Sequence, residues 1–169
     1  MRHLSDLPED EARAALRACC AAGRWVERML SQRPFKNRDE VFDSAEHIWW
    51  SLGREDWLEA FAAHPRIGAQ RHSGTAAQDD SKAPEWSQAE QAGVAAASDE
   101  TKAALAEVNR EYEAKFGYIY IVCATGKSGE EMLALARQRL GNDADTELRV
   151  AALEQLNITR LRLEKQLTL

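Results

Sequence analysis

"YIYIVCAT", residues 118 to 125, decides how the rest of the chain is read. It is dense in β-branched and aromatic residues, the composition of a buried strand. A strand needs a partner, and no second run of comparable quality occurs in the sequence. An isolated strand is poorly stable in water. The stretch therefore reads as a buried extended segment held inside a helical fold.

The flanking sequence supports that reading. Val41, Phe42, Ala45, Ile48, Trp49 and Leu52 recur at helical spacing, as do Trp57, Leu58 and Phe61, and again Leu105, Val108 and Tyr112. The patterns predict helices over 8–32 with a break at Gly23, then over 38–52, 54–63, 87–97, 99–115, 128–140 and 145–166. Phe116-Gly117 marks a helix end. Between them, "RIGAQRHSGTAAQDDSKAPEW" (66–86) is polar and aperiodic, and loops of that length are usually functional or disordered. The expectation is one all-α domain over 1–169, with seven to eight helices and one buried extended segment near 118–125.

Composition narrows the function classes. The net charge of −6 argues against a nucleic-acid binder, and an anionic substrate would need a locally positive site. The three cysteines, Cys19, Cys20 and Cys123, are odd in number and form no C-x-x-C, which points to a reducing compartment. No apolar run approaches a membrane span and no secretory leader is evident. A cytoplasmic protein without membrane contact is expected.

Few side chains offer chemistry. His64 precedes Pro65, so a helix should stop there. Its imidazole either complements the helix dipole or serves as a proton-transfer group at a loop mouth. Ser87, Glu90 and Gln91 fall at i, i+3 and i+4, on one helix face. The same S-x-x-E spacing is also a capping box, which leaves Gln91 unexplained. Arg160 and Arg162 lie two apart in "TRLRL" and face different directions, so one should turn inward and need an anion. His64 and His72 show no zinc spacing, and no phosphate or dinucleotide loop is present. Adjacent Cys19 and Cys20 read as small buried hydrophobes. Trp25, Trp49, Trp50 and Trp57 suit a core or a subunit interface. Up to this point an enzyme and a non-catalytic interaction domain both fit.

Taken in order, "RPF" (33–35), "HPRIG" (64–68), "SQAEQAG" (87–93), "LAEVNREYEAKFGYIYIVCATGKS" (105–128), the Arg139-Leu140 pair with Asn142, and "ELRVAALEQLNITRLRLEKQL" (147–167) resemble the 2-oxo-4-hydroxy-4-carboxy-5-ureidoimidazoline (OHCU) decarboxylase family of urate degradation. The resemblance implies an all-α homodimer that uses no cofactor or metal and converts OHCU to (S)-allantoin and carbon dioxide. It implies that His64 and Glu90 are catalytic, His64 as the family's catalytic histidine, and that Pro65 lines the substrate site. Ser87 and Gln91 match the polar substrate-binding face, and Arg162 matches the substrate-binding arginine better than Arg160 does. Tyr120, Ile121, Val122, Cys123 and Ala124 match the segment that closes over the substrate, partly through backbone groups. Tyr120 stands where many relatives have phenylalanine. Asn157-Ile158 replaces a more usual lysine-isoleucine pair, at a position peripheral to the chemistry. A hydrolase acting on a related ureide is the competing enzyme reading.

Overall fold

Short polar side chains fix several helix starts. Asn37, Ser98 and Ser128 each accept a hydrogen bond from the backbone N–H three residues on, at 2.9 to 3.1 Å. Each such cap is worth about 1 kcal/mol. At the other end of the Ser98-capped helix, Gly117 adopts φ 80°, the left-handed conformation glycine enters without a Cβ penalty.

The computed structural model describes residues 4–68 and 83–168. Within them lie nine helices: α1 (Glu9–Cys19), α2 (Gly23–Ser31), α3 (Arg38–Ser51), α4 (Arg54–Ala62), α5 (Ala83–Glu90), α6 (Ala92–Ala95), α7 (Asp99–Phe116), α8 (Gly129–Arg139) and α9 (Ala144–Thr168). No strand is present among the described residues, as expected of an all-α fold. There is one helix more than predicted, because the run expected over 87–97 breaks at Gln91. The break expected at Gly23 is a three-residue connection. Cys20 turns extended (φ −148°) and α2 restarts at Gly23. Most of the long loop at 66–85, with His72, falls outside the described residues.

The chain divides into two units, one of Met1–Ala63 with Gln155–Leu169 and one of His64–Glu154. In the first, α2 packs on α1, α3 and α4. Leu16, Trp25, Met29, Trp49, Phe61 and Leu163 are almost wholly buried there. The Trp25 indole N–H donates to the Ala45 carbonyl at 3.1 Å, so the largest core side chain leaves no polar atom unpaired. No helix among the described residues is long and apolar enough to cross a membrane.

In the second unit α7 lies against α8, and α6 crosses the start of α8. That crossing is close enough to require glycine. A Cβ on Gly93 would stand 2.0 Å from the Lys127 carbonyl oxygen, and one on Gly129 would stand 2.6 Å from Ala97 Cβ. Backbone cannot swing aside as a side chain can. Gly93→Ala is therefore expected to destabilise the protein by about 3 kcal/mol, the upper end for overpacking. Helix propensity alone would make the same change stabilising by about 1 kcal/mol. A urea unfolding midpoint lowered in Gly93→Ala is the expected result, and a raised midpoint would contradict the steric account.

The extended segment follows α7. Tyr120 through Ala124 are buried, and their backbone groups need partners that no neighbouring strand supplies. Side chains supply them. Arg139 donates to the Ile121 carbonyl at 2.6 Å, the Glu154 carboxylate accepts from the Cys123 N–H at 2.6 Å, and Lys127 Nζ donates to the Cys123 carbonyl at 2.8 Å. The Tyr120 hydroxyl donates to the Met132 carbonyl at 3.1 Å. Arg139 is itself held by Glu147, through its Nε at 2.7 Å, and its guanidinium lies over the rings of Tyr112 and Tyr120. Tyr112 and Asn142 also donate to Glu147. A buried charge pair with this many partners acts as a frame for the segment.

Candidate active site

The helix before His64 ends as the proline rule requires, with α4 closing at Ala62 and Pro65 following two residues past its cap. His64 is half-buried and Pro65 is exposed. The next three residues are fastened by α7 and by Gln91, between α5 and α6. Arg66 forms a bidentate pair with Glu113 of α7, at 2.9 Å through Nε and 2.8 Å through Nη2. Asn109, also on α7, donates from Nδ2 to the Ile67 carbonyl at 2.9 Å. The Gly68 N–H donates to Gln91 Oε1 at 3.0 Å. Arg66, close to His64 in sequence, is thus a largely exposed ion-pair partner of Glu113, a class of contact worth little stability.

The Gln91 contact has a chemical consequence. An amide oxygen that accepts from Gly68 leaves the two Nε2 hydrogens as the donors directed elsewhere. Gln91 occupies the break between α5 and α6, at φ −96° and ψ 18°. Ser87 and Glu90, on the same face of α5, are 8% and 9% exposed, so a hydroxyl and a carboxylate are held largely out of water next to it. The capping-box reading of these two residues is overturned. Helix α5 already runs from Ala83, which puts Ser87 in its interior, where its carbonyl accepts the Gln91 N–H at 3.2 Å. Pro84, in the first turn, was the start signal.

Glu90 is near enough to the extended segment for its charge to act on Cys123. Burial first, then the Glu154 charge, pushes the Cys123 thiol above its ordinary value, and Glu90 adds to the effect. A thiol so placed stays protonated and is no nucleophile. Burial likewise pushes Cys20 up to about 12. The Tyr120 phenol is also pushed up to about 12 by burial, so it stays neutral and acts as a hydrogen-bond donor.

Within the second unit, then, Gln91 is tied to the loop that follows His64 and Pro65, and Glu90 lies near Cys123 of the extended segment. Arg162 belongs to the first unit. The ambiguity between the two arginines resolves there. Arg160 reaches outward to Glu46 at 3.0 Å, while Arg162 is 5% exposed and donates to the Ala18 carbonyl at 3.3 Å. Its charge also reaches the Cys20 thiol. Sequence reasoning passed over Asn109, Arg139, Lys127 and Glu154. Only Asn109 carried a visible signal, a polar residue within the apolar stripe of Leu105, Val108, Tyr112 and Phe116.

Residues 5–164 match the OHCU decarboxylase family. The chain is 35% identical to the uric acid degradation bifunctional protein TTL of Arabidopsis thaliana over 162 residues, covering 95% of this chain and 47% of that protein. It is 28% identical to the 2-oxo-4-hydroxy-4-carboxy-5-ureidoimidazoline decarboxylase of Haloferax volcanii, over 84% of this chain and 80% of that one. It also superposes on a crystal structure of OHCU decarboxylase in the presence of (S)-allantoin, with a TM-score of 0.77, 33% identity, and coverage of 92% and 98% of the two chains. With a family match spanning nearly its whole length, and helices laid out as in that structure, the chain belongs to the OHCU decarboxylase family.

Proposed function

We propose that the chain decarboxylates OHCU to (S)-allantoin. The observation that carries the proposal is the tethering of Gln91, next to buried Glu90, to the loop that bears His64.

The substrate carries a hydroxyl and a carboxylate on one ring carbon, beside a carbon–nitrogen double bond. When the bond to the carboxylate breaks, its electron pair forms a carbon–carbon double bond, and the former C=N pair moves onto nitrogen, which takes a proton. The hydroxyl is then an enol. It gives up its proton as the ureido-bearing carbon gains one, and the face of that delivery sets the handedness of the product. The substrate is its own electron sink, so neither pyridoxal phosphate nor thiamine diphosphate is required.

The protein then has to orient the carboxylate out of the ring plane and manage protons. His64 does the second, since an imidazole of ordinary pKa about 6.5 can both give and take a proton near neutrality. Glu90 orients the imidazole or accepts from the ureido N–H groups. Gln91 presents its Nε2 donors to a ring carbonyl, and Ser87 adds a hydroxyl. Pro65 and the residues 120 to 124 shape the site. The enzyme works as a homodimer in the cytoplasm.

OHCU labelled with ¹³C in its carboxylate distinguishes this reaction from hydrolysis. One labelled carbon dioxide should leave per allantoin formed, at a rate proportional to protein. Retention of the label in an acid product would overturn the proposal in favour of water addition.

A further inference from the structure

We infer that Asn109 is a positioning residue for the reaction, acting on His64 through the backbone of the loop that follows it. The inference rests on the proposed decarboxylation and deepens it.

Asn109 is 6% exposed in the middle of α7, on the stripe that otherwise packs as core. A buried amide there is unfavourable unless its hydrogen bonds serve something. Its Nδ2 donates to the Ile67 carbonyl, three residues after His64, and its Oδ1 finds no partner among the described residues. A leucine of similar volume would suit that stripe better on packing grounds alone. What the amide adds is a fixed point. Pro65 restricts its own φ and the backbone of His64. Gly68 turns at φ 77°, where a Cβ would also stand 3.3 Å from Val94 Cγ1. Asn109 holds the Ile67 carbonyl between those constraints, while Gln91 holds the Gly68 N–H from the other side. With both ends of one peptide unit gripped, the imidazole is carried on a loop that has little freedom left. Displacing a proton-transfer group by about 1 Å can cost 10²-fold in rate.

Asn109→Leu tests this, in the wild-type and in the His64→Asn background, by steady-state turnover of OHCU. In the wild-type background kcat should fall about 10- to 100-fold. KM should hold within about threefold, because a residue that acts on the loop and not on the substrate leaves substrate binding in place. In the His64→Asn background the same change should alter the residual rate by less than about twofold, since a residue that acts only through His64 has nothing left to position. Equal losses in both backgrounds, a raised KM with unchanged kcat, or near-normal turnover in folded Asn109→Leu would each overturn the inference. So would failure to fold of both Asn109→Leu and Asn109→Ala, which would assign the side chain to stability alone. If His64→Asn itself turns over normally, His64 has no part in the reaction and the inference falls with it; if the parent protein does not speed OHCU decay at all, the proposed function fails instead.

Discussion

Replacing His64 by asparagine is expected to lower OHCU turnover by about 10²- to 10⁴-fold, the usual loss for a positioned acid–base group. The imidazole is half-buried and stands after the end of α4, so asparagine removes its titration without opening the core. The thermal midpoint should stay close to that of the parent. If His64 acts mainly in the transition state, kcat and kcat/KM should fall together, with KM little changed. A folded His64→Asn protein with near-normal turnover would remove the histidine from the mechanism. It would return His64 to the plain role of a helix-end residue.

Arg139→Met should be the most damaging single change outside the site. Glu147 is fully buried, and Arg139 is its cation and also the donor to the Ile121 carbonyl. Removing one partner of a buried pair typically costs about 3 to 5 kcal/mol, because the other charge is left without compensation. That is a large fraction of the 5 to 15 kcal/mol by which most domains are stable, on the order of a third or more. The double replacement Arg139→Met with Glu147→Leu should recover part of the loss, since no unpaired charge then remains. Recovery should be incomplete, because the Ile121 carbonyl and the Tyr112 hydroxyl stay without their partners. Urea unfolding of the three variants gives the comparison. A loss below about 1 kcal/mol for Arg139→Met would contradict a framing role for the pair.

These two predictions differ in how far the sequence anticipates them. The extended segment is legible because its composition is unlike everything around it and nothing else in the chain could pair with it. The residues that make it feasible are not legible. Arg139, Glu154 and Lys127 look like ordinary charges on helix surfaces or in a turn. Only folding brings Arg139 within 2.6 Å of a carbonyl 18 positions earlier, or Glu154 within 2.6 Å of an amide 31 positions earlier.

The candidate site divides in the same way. His64 is marked by the proline after it, and Gln91 by being the one residue a capping box could not explain. The Ser87–Glu90 spacing is ambiguous in principle, since a capping box and a shared helix face use the same offset. What separates them is where the helix starts, and Pro84 carried that information. The two arginines of "TRLRL" are a true tie in sequence. Packing breaks it, with Arg160 taken by Glu46 at the surface and Arg162 buried beside the Ala18 carbonyl. Gly93 sits in a quoted motif, yet its close approach to Lys127 depends on a crossing that no local pattern encodes.

The central claim is that this chain makes one enantiomer of allantoin from OHCU, and circular dichroism tests it most directly. OHCU is generated fresh and its decay followed with and without the protein. The account predicts fast, protein-dependent growth of the (S)-allantoin signal to a full enantiomeric amplitude. Decay at the spontaneous rate to a racemate, with the protein shown to be folded, would contradict it.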